Sequence, residues 1–286
     1  MSTSLRTEGI SLVIPAFNED RVIAQAIREA ETALAGRFRE FEVLVVDDGS
    51  TDDTTTVVGW ALEQAENTRL ISHKGNQGYG AALRTGFEAA RFPLVAFTDA
   101  DCQFDLTELG TLAALADEYP IVAGYRLDRK DPWKRRFFSW GYNRMARTLL
   151  GTRVRDVDCA LKVFRHSTLA QLLPESRGFF VNTEMMTRAR QLGVPVIEVP
   201  VTHRPRASGE SKVSLREIPK TAKRLLNFWW TNVVRGPKAA PVTPPVAVFQ
   251  ERVAVPTGAH GRIAAHLPSS ESALPVELPA RRPGAA

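Results

Sequence analysis

Two carboxylates and an amide sit at alternate positions in Asp99-Ala-Asp101-Cys-Gln103, directly after the apolar run Leu94 to Phe97. A short run of that kind reads as a buried strand, and an extended chain points side chains two apart the same way. Asp99, Asp101 and the amide oxygen of Gln103 can therefore converge on one hard divalent cation, which takes oxygen ligands and commonly bridges to substrate phosphates. At the carboxyl edge of an open α/β sheet, where such folds bind ligands, this set suits a nucleotide diphosphate. The same residues also make an ordinary polar turn after a strand, so the surrounding chain has to decide.

Three earlier segments repeat the pattern of apolar strand, polar loop and helix. Ile10 to Ile14 runs into Pro15, Ala16, Asn18 and Glu19, and Asn18 offers an N-cap for a helix with apolar positions Val22, Ile23, Ala26, Ile27 and Ala30. Phe41 to Val46 runs into Asp47 and Asp48. A third strand near Leu70 leads to a loop with Gly75, Gly78 and Gly80 and a helix from about Ala81; glycines there permit close backbone approach to a ligand. Strands alternating with helices imply crossover connections and a mostly parallel sheet, an α/β fold. Gly86 falls too late for a dinucleotide fingerprint and no lysine follows the glycines as in a P-loop, which disfavours a Rossmann oxidoreductase and a P-loop ATPase.

The formal charge of +5 and pI near 9.4 favour anionic partners without choosing among them. Its distribution says more: ten Lys or Arg lie between Arg126 and Arg155 against two acids. Within that block Trp133 to Leu150 mixes cations with Trp, Phe and Leu, and Leu215 to Val234 does the same. Such helices either lie in a membrane interface or pack on a core by one face. Two cysteines make neither a disulfide framework nor a zinc pattern, so a reduced compartment is expected. No apolar run approaches the ~20 residues of a spanning helix. From Pro237 onward the chain holds nine of its 18 prolines, the composition of a disordered tail.

Seven segments in order, VIPAFNE, VVDDGSTD, GNQGYGAALRTGF, DADCQFD, VRDVDCALKVFR, NTEMMTRARQLG and RASGESK, resemble the inverting family 2 glycosyltransferases of GT-A fold, most nearly the polyprenyl-phosphate (dolichyl-phosphate) mannosyl- and glucosyltransferases. The likeness runs from about Ile10 to Lys212. It implies a Rossmann-like catalytic domain over residues 1–212, including an interfacial helix at about 133–150, then an amphipathic interfacial helix over 213–236; composition makes 237–286 a disordered tail, where many relatives add transmembrane helices. It further implies a nucleotide diphosphate sugar donor, with Pro15, Ala16, Asn18, Glu19, Asp47 and Asp48 around the nucleoside. Asp99, Asp101 and Gln103 match the metal ligands, for Mg²⁺ or Mn²⁺. Arg206 matches the basic residue brought over the diphosphate, with Lys212 in the same loop.

For the acceptor, the resemblance implies polyprenyl phosphate gripped by Arg126, Arg135 and Ser139, with Arg136 as a one-residue alternative. Guanidinium suits that task because it stays charged and presents paired donors. Two departures stand out: Ala160 occupies a usual glycine, and Asn182 stands where relatives carry an aspartate. A carboxylate base at Asn182 is thereby excluded, although an ionised phosphate needs none. A hydroxyl acceptor would need one, and Asp156 and Asp158 are the candidates. The expectation is a hexosyltransferase at the cytoplasmic membrane face, monotopic and without a nucleic-acid partner, since the acidic loops would repel phosphodiester.

Overall fold

Valine, leucine and isoleucine fill both faces of the central strands, β1 (Ile10–Ala16), β2 (Phe41–Asp47) and β4 (Leu94–Phe97), and nearly every position in them is buried. Continuous apolar strands of this kind require helices on both sides of the sheet. The computed structural model describes residues 5–127, 133–152, 154–205 and 225–231, with side chains from Trp140 onward in the helix over 133–150. Arg206, Lys212, most of the 213–236 stretch, the tail from Pro237, and the side chains of Arg135, Arg136 and Ser139 lie outside the described residues.

With β3 (Thr68–Ser72), β5 (Ile121–Leu127), β6 (Lys162–Arg165) and β7 (Val196–Thr202), the strands form one sheet in the order β3-β2-β1-β4-β6-β5-β7. All neighbours are parallel except β6, which runs antiparallel to β4 and β5. The sequence reading treated VRDVDCALKVFR as a motif without assigning β6, whose four residues are too few for periodicity to register.

The helices are α1 (Ile23–Ala35), α2 (Thr54–Leu62), α3 (Tyr79–Ala89), α4 (Leu109–Leu115), α5 (Trp133–Leu150), α6 (His166–Leu172) and α7 (Val181–Gln191). α3 lies so close to β1 that a Cβ on Gly86 would stand 2.2 Å from Val13 Cγ1, an approach only glycine allows. One polar knot sits in the core: Glu42, fully buried, accepts from Ser11 Oγ at 2.7 Å and from Arg69 and Arg91 at 2.8–3.0 Å.

The expected N-cap at Asn18 is corrected. α1 starts five residues later, after Val22, which makes no side-chain cap bond. Asn18 instead adopts a left-handed conformation, φ 53°, and its Oδ1 accepts from the Thr51 backbone N–H at 2.8 Å. Asparagine tolerates that conformation better than most residues, so it serves the loop between β1 and α1 rather than the helix.

Candidate functional site

The strand directions bring the candidates on the described strands and their adjoining loops to one edge of the sheet. β1, β2, β4, β5 and β7 end there, at Ala16, Asp47, Phe97, Leu127 and Thr202, while antiparallel β6 begins there at Lys162, opposite Phe97.

Asp99 and Asp101 follow β4 directly. Tyr79, the first residue of α3, donates its hydroxyl to Asp99 Oδ1 at 2.8 Å, and its ring stacks on Phe179 at 5.2 Å. Burial, then the Asp99 charge, push the Tyr79 phenol well above its usual range, so it stays a donor. Cys102, at φ 57°, turns the loop, and the Gln103 N–H closes on Asp101 Oδ1 at 3.2 Å. Burial, then Glu29 and Asp101, raise the Cys102 thiol to about 12, which leaves it unreactive at neutral pH. The Gln103 amide donates to the Arg204 carbonyl at 3.1 Å, and the Arg204 N–H returns a bond to the Gln103 carbonyl at 2.7 Å. The cation-loop candidates are thus fastened to the chain leaving β7, two residues before Arg206.

Among the described residues no three His, Cys, Asp or Glu side chains form a cation cage. The donor set fits a cation nonetheless: two carboxylates and an amide on one hard-oxygen loop suit Mg²⁺ or Mn²⁺ completed by phosphate oxygens and water, as Mg²⁺ prefers.

The residues assigned to the nucleoside line the neighbouring strand ends. Pro15 and Ala16 close β1, in register with Val46 and Asp47. Asn18 N–H donates to Ser50 Oγ at 2.9 Å and Glu19 N–H to Thr54 Oγ1 at 2.7 Å, which laces the two loops together. Asp47 Oδ1 accepts from the Ser50 N–H and hydroxyl, and its Oδ2 from Thr55. Asp48 reaches across to the glycine-rich loop, accepting from the Gln77 N–H at 2.9 Å, the Gly78 N–H at 2.7 Å, and pairing with His73 Nδ1 at 2.7 Å. Both carboxylates are buried, and on this geometry each organises the loops that would surround a nucleotide.

At the end of β5, two residues expected from the sequence to have separate tasks are joined. Arg126 donates through Nε and Nη2 to the two oxygens of Asp156, at 2.7 and 2.8 Å, with each side chain 9% exposed. Burial alone would depress the guanidinium, but the Asp156 bonds outweigh it and hold Arg126 firmly charged. Lys162 is fully buried; its Nζ donates to the carbonyls of Val157 and Cys159 and to Asn182 Oδ1, and lies 5.5 Å from the Phe97 ring centre. It clamps the loop carrying Asp156 and Asp158. Asn182 is therefore a partner of the clamp, while Glu184 holds the 175–176 backbone through two N–H bonds of 2.9 and 2.8 Å.

α5 is anchored to this wall by the 2.6 Å bond between Tyr142 and Thr183 and by the Val157 N–H donating to Asn143 at 3.1 Å. A second apolar cluster joins Ala146 and Leu150 of α5 to Phe180 and to Leu225, with Phe228 and Trp229 packed against it. Trp140 and Trp230 remain 57% and 48% exposed. A groove of about 320 Å³ opens between the 176–180 segment and helical residues 225–231, lined by Ser176, Arg177, Phe180, Asn227, Phe228 and Thr231. Its wall touches the donor side, because the Gly80 N–H donates to the Arg177 carbonyl at 2.8 Å.

Tyr79, His73, Lys162 and Arg177 were not singled out from the sequence as site residues. A tyrosine between two glycines, a lysine opening a four-residue strand and an arginine in an irregular segment carry no local signal of such a role.

A model of glycosyl transferase family 2 matches residues 11–173. Among solved structures, glucosyl-3-phosphoglycerate synthase from Mycobacterium tuberculosis in complex with phosphoglyceric acid superposes at a TM-score of 0.63 with 20% identity, over 81% of this chain and 82% of that one. The same enzyme with Mn²⁺, uridine diphosphate and glucosyl-3-phosphoglycerate gives 0.62 at 19% identity and equal coverage. Its complex with Mg²⁺ and uridine diphosphate gives 0.62 at 20%, over 81% of each chain.

Proposed function

The chain belongs to glycosyl transferase family 2, and on that premise we propose that it transfers a hexose from a nucleotide diphosphate sugar to the phosphate of a polyprenyl carrier at a membrane surface. Asp99, Asp101 and Gln103 would hold Mg²⁺ or Mn²⁺, which when bound neutralises the diphosphate and helps it leave. Pro15, Ala16, Asn18, Glu19, Asp47 and Asp48 frame the nucleoside, and Arg206 and Lys212 are the basic residues assigned to the diphosphate by the family resemblance. A phosphate oxygen attacks the anomeric carbon from the face opposite the diphosphate. The new C–O bond forms as the bond to the diphosphate breaks, so configuration inverts and the electron pair departs with the nucleotide.

The single observation that carries the acceptor is the groove lined by Arg177, Phe180 and Phe228, backed by the exposed Trp140 and Trp230. A phosphate on an apolar chain matches an arginine and two phenylalanines lining one groove, and indole rings suit a water–lipid boundary. At about 320 Å³ the groove is at the lower end of small-molecule sites, ~300–1,000 Å³. Arg135 and Ser139 belong to α5, whose Ala146 and Leu150 share an apolar cluster with Phe180 and Leu225. Asp156 is engaged by Arg126 and residue 182 is an amide, which suits an acceptor that arrives ionised.

A second reading is favoured by the M. tuberculosis synthases, whose acceptor is phosphoglycerate. A soluble hydroxyl acceptor would call on Asp158, or on Asp156 released from Arg126, as base. The test is to supply Mn²⁺, labelled UDP-glucose or GDP-mannose, and anionic vesicles bearing short polyprenyl phosphate. Lipid-extractable label supports the first reading; label found only on added phosphoglycerate supports the second.

A further inference from the structure

We propose that Tyr79 is a positioning residue for Asp99, fixing the plane in which that carboxylate presents oxygen to the donor's cation. This rests on the metal assignment above and adds a residue to it. The contact is a 2.8 Å hydrogen bond from a phenol at the very start of α3. Carboxylate ligands held by such outer bonds bind metal more tightly because they need not be ordered on binding, and losing one such partner commonly costs ~10–100-fold in affinity or activity.

Tyr79 can do this because its backbone has no slack. Gly78, at φ 103°, precedes it, and a Cβ there would stand 2.3 Å from the Arg177 carbonyl oxygen. A Cβ on Gly80, which follows it, would stand 2.0 Å from the Ser176 oxygen. The two glycines thus let the 176–178 backbone press against the helix start, and the Gly80 N–H bond to Arg177 locks the contact. The Phe179 ring, 25° from parallel, then covers the tyrosine ring. The phenol is held from both ends, and its hydroxyl is delivered to Asp99 and not to solvent.

Tyr79→Phe keeps the ring, the stack and the backbone while removing the bond. Binding of Mn²⁺ should be followed by electron paramagnetic resonance, with UDP or GDP added as the diphosphate, alongside thermal unfolding. The expected result is a dissociation constant for Mn²⁺ raised about tenfold or more, with the unfolding midpoint nearly unchanged. The Mn²⁺ concentration for half-maximal turnover should rise in step, and kcat at saturating Mn²⁺ should fall less. Phe179→Leu, which leaves the hydroxyl, should move Mn²⁺ binding less than Tyr79→Phe. Wild-type Mn²⁺ binding in Tyr79→Phe overturns the proposal, as does an equal loss in Phe179→Leu. Asp101→Asn distinguishes the failures: if it loses Mn²⁺ while Tyr79→Phe keeps it, only the role of Tyr79 falls, whereas wild-type binding in Asp101→Asn removes the metal assignment and this inference with it.

Discussion

Arg126 and Asp156 hold each other through two hydrogen bonds, 2.7 and 2.8 Å long, at the sheet edge where β5 ends. A phosphate approaching Arg126 would meet a guanidinium whose charge is already matched, and a hydroxyl approaching Asp156 would meet a carboxylate already accepting two bonds. The pair therefore shapes the wall, and the phosphate contact is proposed at Arg177 and α5.

Breaking the pair from one side should therefore cost stability. Arg126→Ala leaves Asp156 buried without its counter-charge, a loss of about 3–5 kcal/mol in comparable buried pairs. Replacing both, as Arg126→Met with Asp156→Leu, should recover most of it because no charge is left stranded. Denaturant unfolding of the three proteins measures this; a single-variant loss under about 1 kcal/mol would place the pair among ordinary surface bridges.

Asp101→Asn should lower turnover at least about 100-fold, since Lewis-acid stabilisation is worth several kcal/mol and ~1.4 kcal/mol is tenfold in rate. Its unfolding midpoint should stay close to wild type. Full activity would remove Asp101 from the metal site.

Glu42 gives a pH signature. Burial works against its charge, but the bonds from Ser11, Arg69 and Arg91 prevail and keep its pKa below the ordinary carboxylate value. The unfolded chain therefore takes up this proton first, so the contribution is complete above about pH 4.3 and disappears as pH falls through the folded value. Glu42→Gln should be less stable than wild type at pH 7, and the gap should narrow on acidification. A gap that stays constant down to the acid transition would show that Glu42 carries no linked proton.

Much of this site was legible in the sequence because strand ends announce themselves. Apolar runs stopping at Ile14, Val46 and Phe97 fix where chemistry can gather, and the register places those strands side by side. What was not legible came from long-range closure. Nothing within reach of Arg126 in sequence reveals that Asp156, thirty residues on, will take both its donors, and nothing around Tyr79 reveals Asp99. Asn18 was misread for a related reason: its side chain satisfies a backbone donor at Thr51 in a separate loop, and a local capping rule sees only the neighbouring helix.

The membrane claim predicts flotation. Among the described residues no helix is long and apolar enough to cross a bilayer, so attachment would rest on α5 and the 225–231 segment. Binding to anionic liposomes should weaken with salt and fall several-fold in a Trp140→Ala, Trp230→Ala double variant, because both indoles are largely exposed. Truncation at Pro237 should change binding little. Equal flotation of the double variant and wild type would remove these tryptophans from the contact.

The acceptor itself is decided by competition. Polyprenyl phosphate in anionic vesicles and phosphoglycerate in solution are offered together to the intact protein with Mn²⁺ and one labelled nucleotide sugar, and the label is partitioned between organic and aqueous products. The account predicts that the label enters the organic phase, with inverted anomeric configuration, and that Arg177→Ala raises the KM for the lipid while leaving the donor dissociation constant unchanged. Label accumulating on phosphoglycerate, with none in the organic phase, would contradict it.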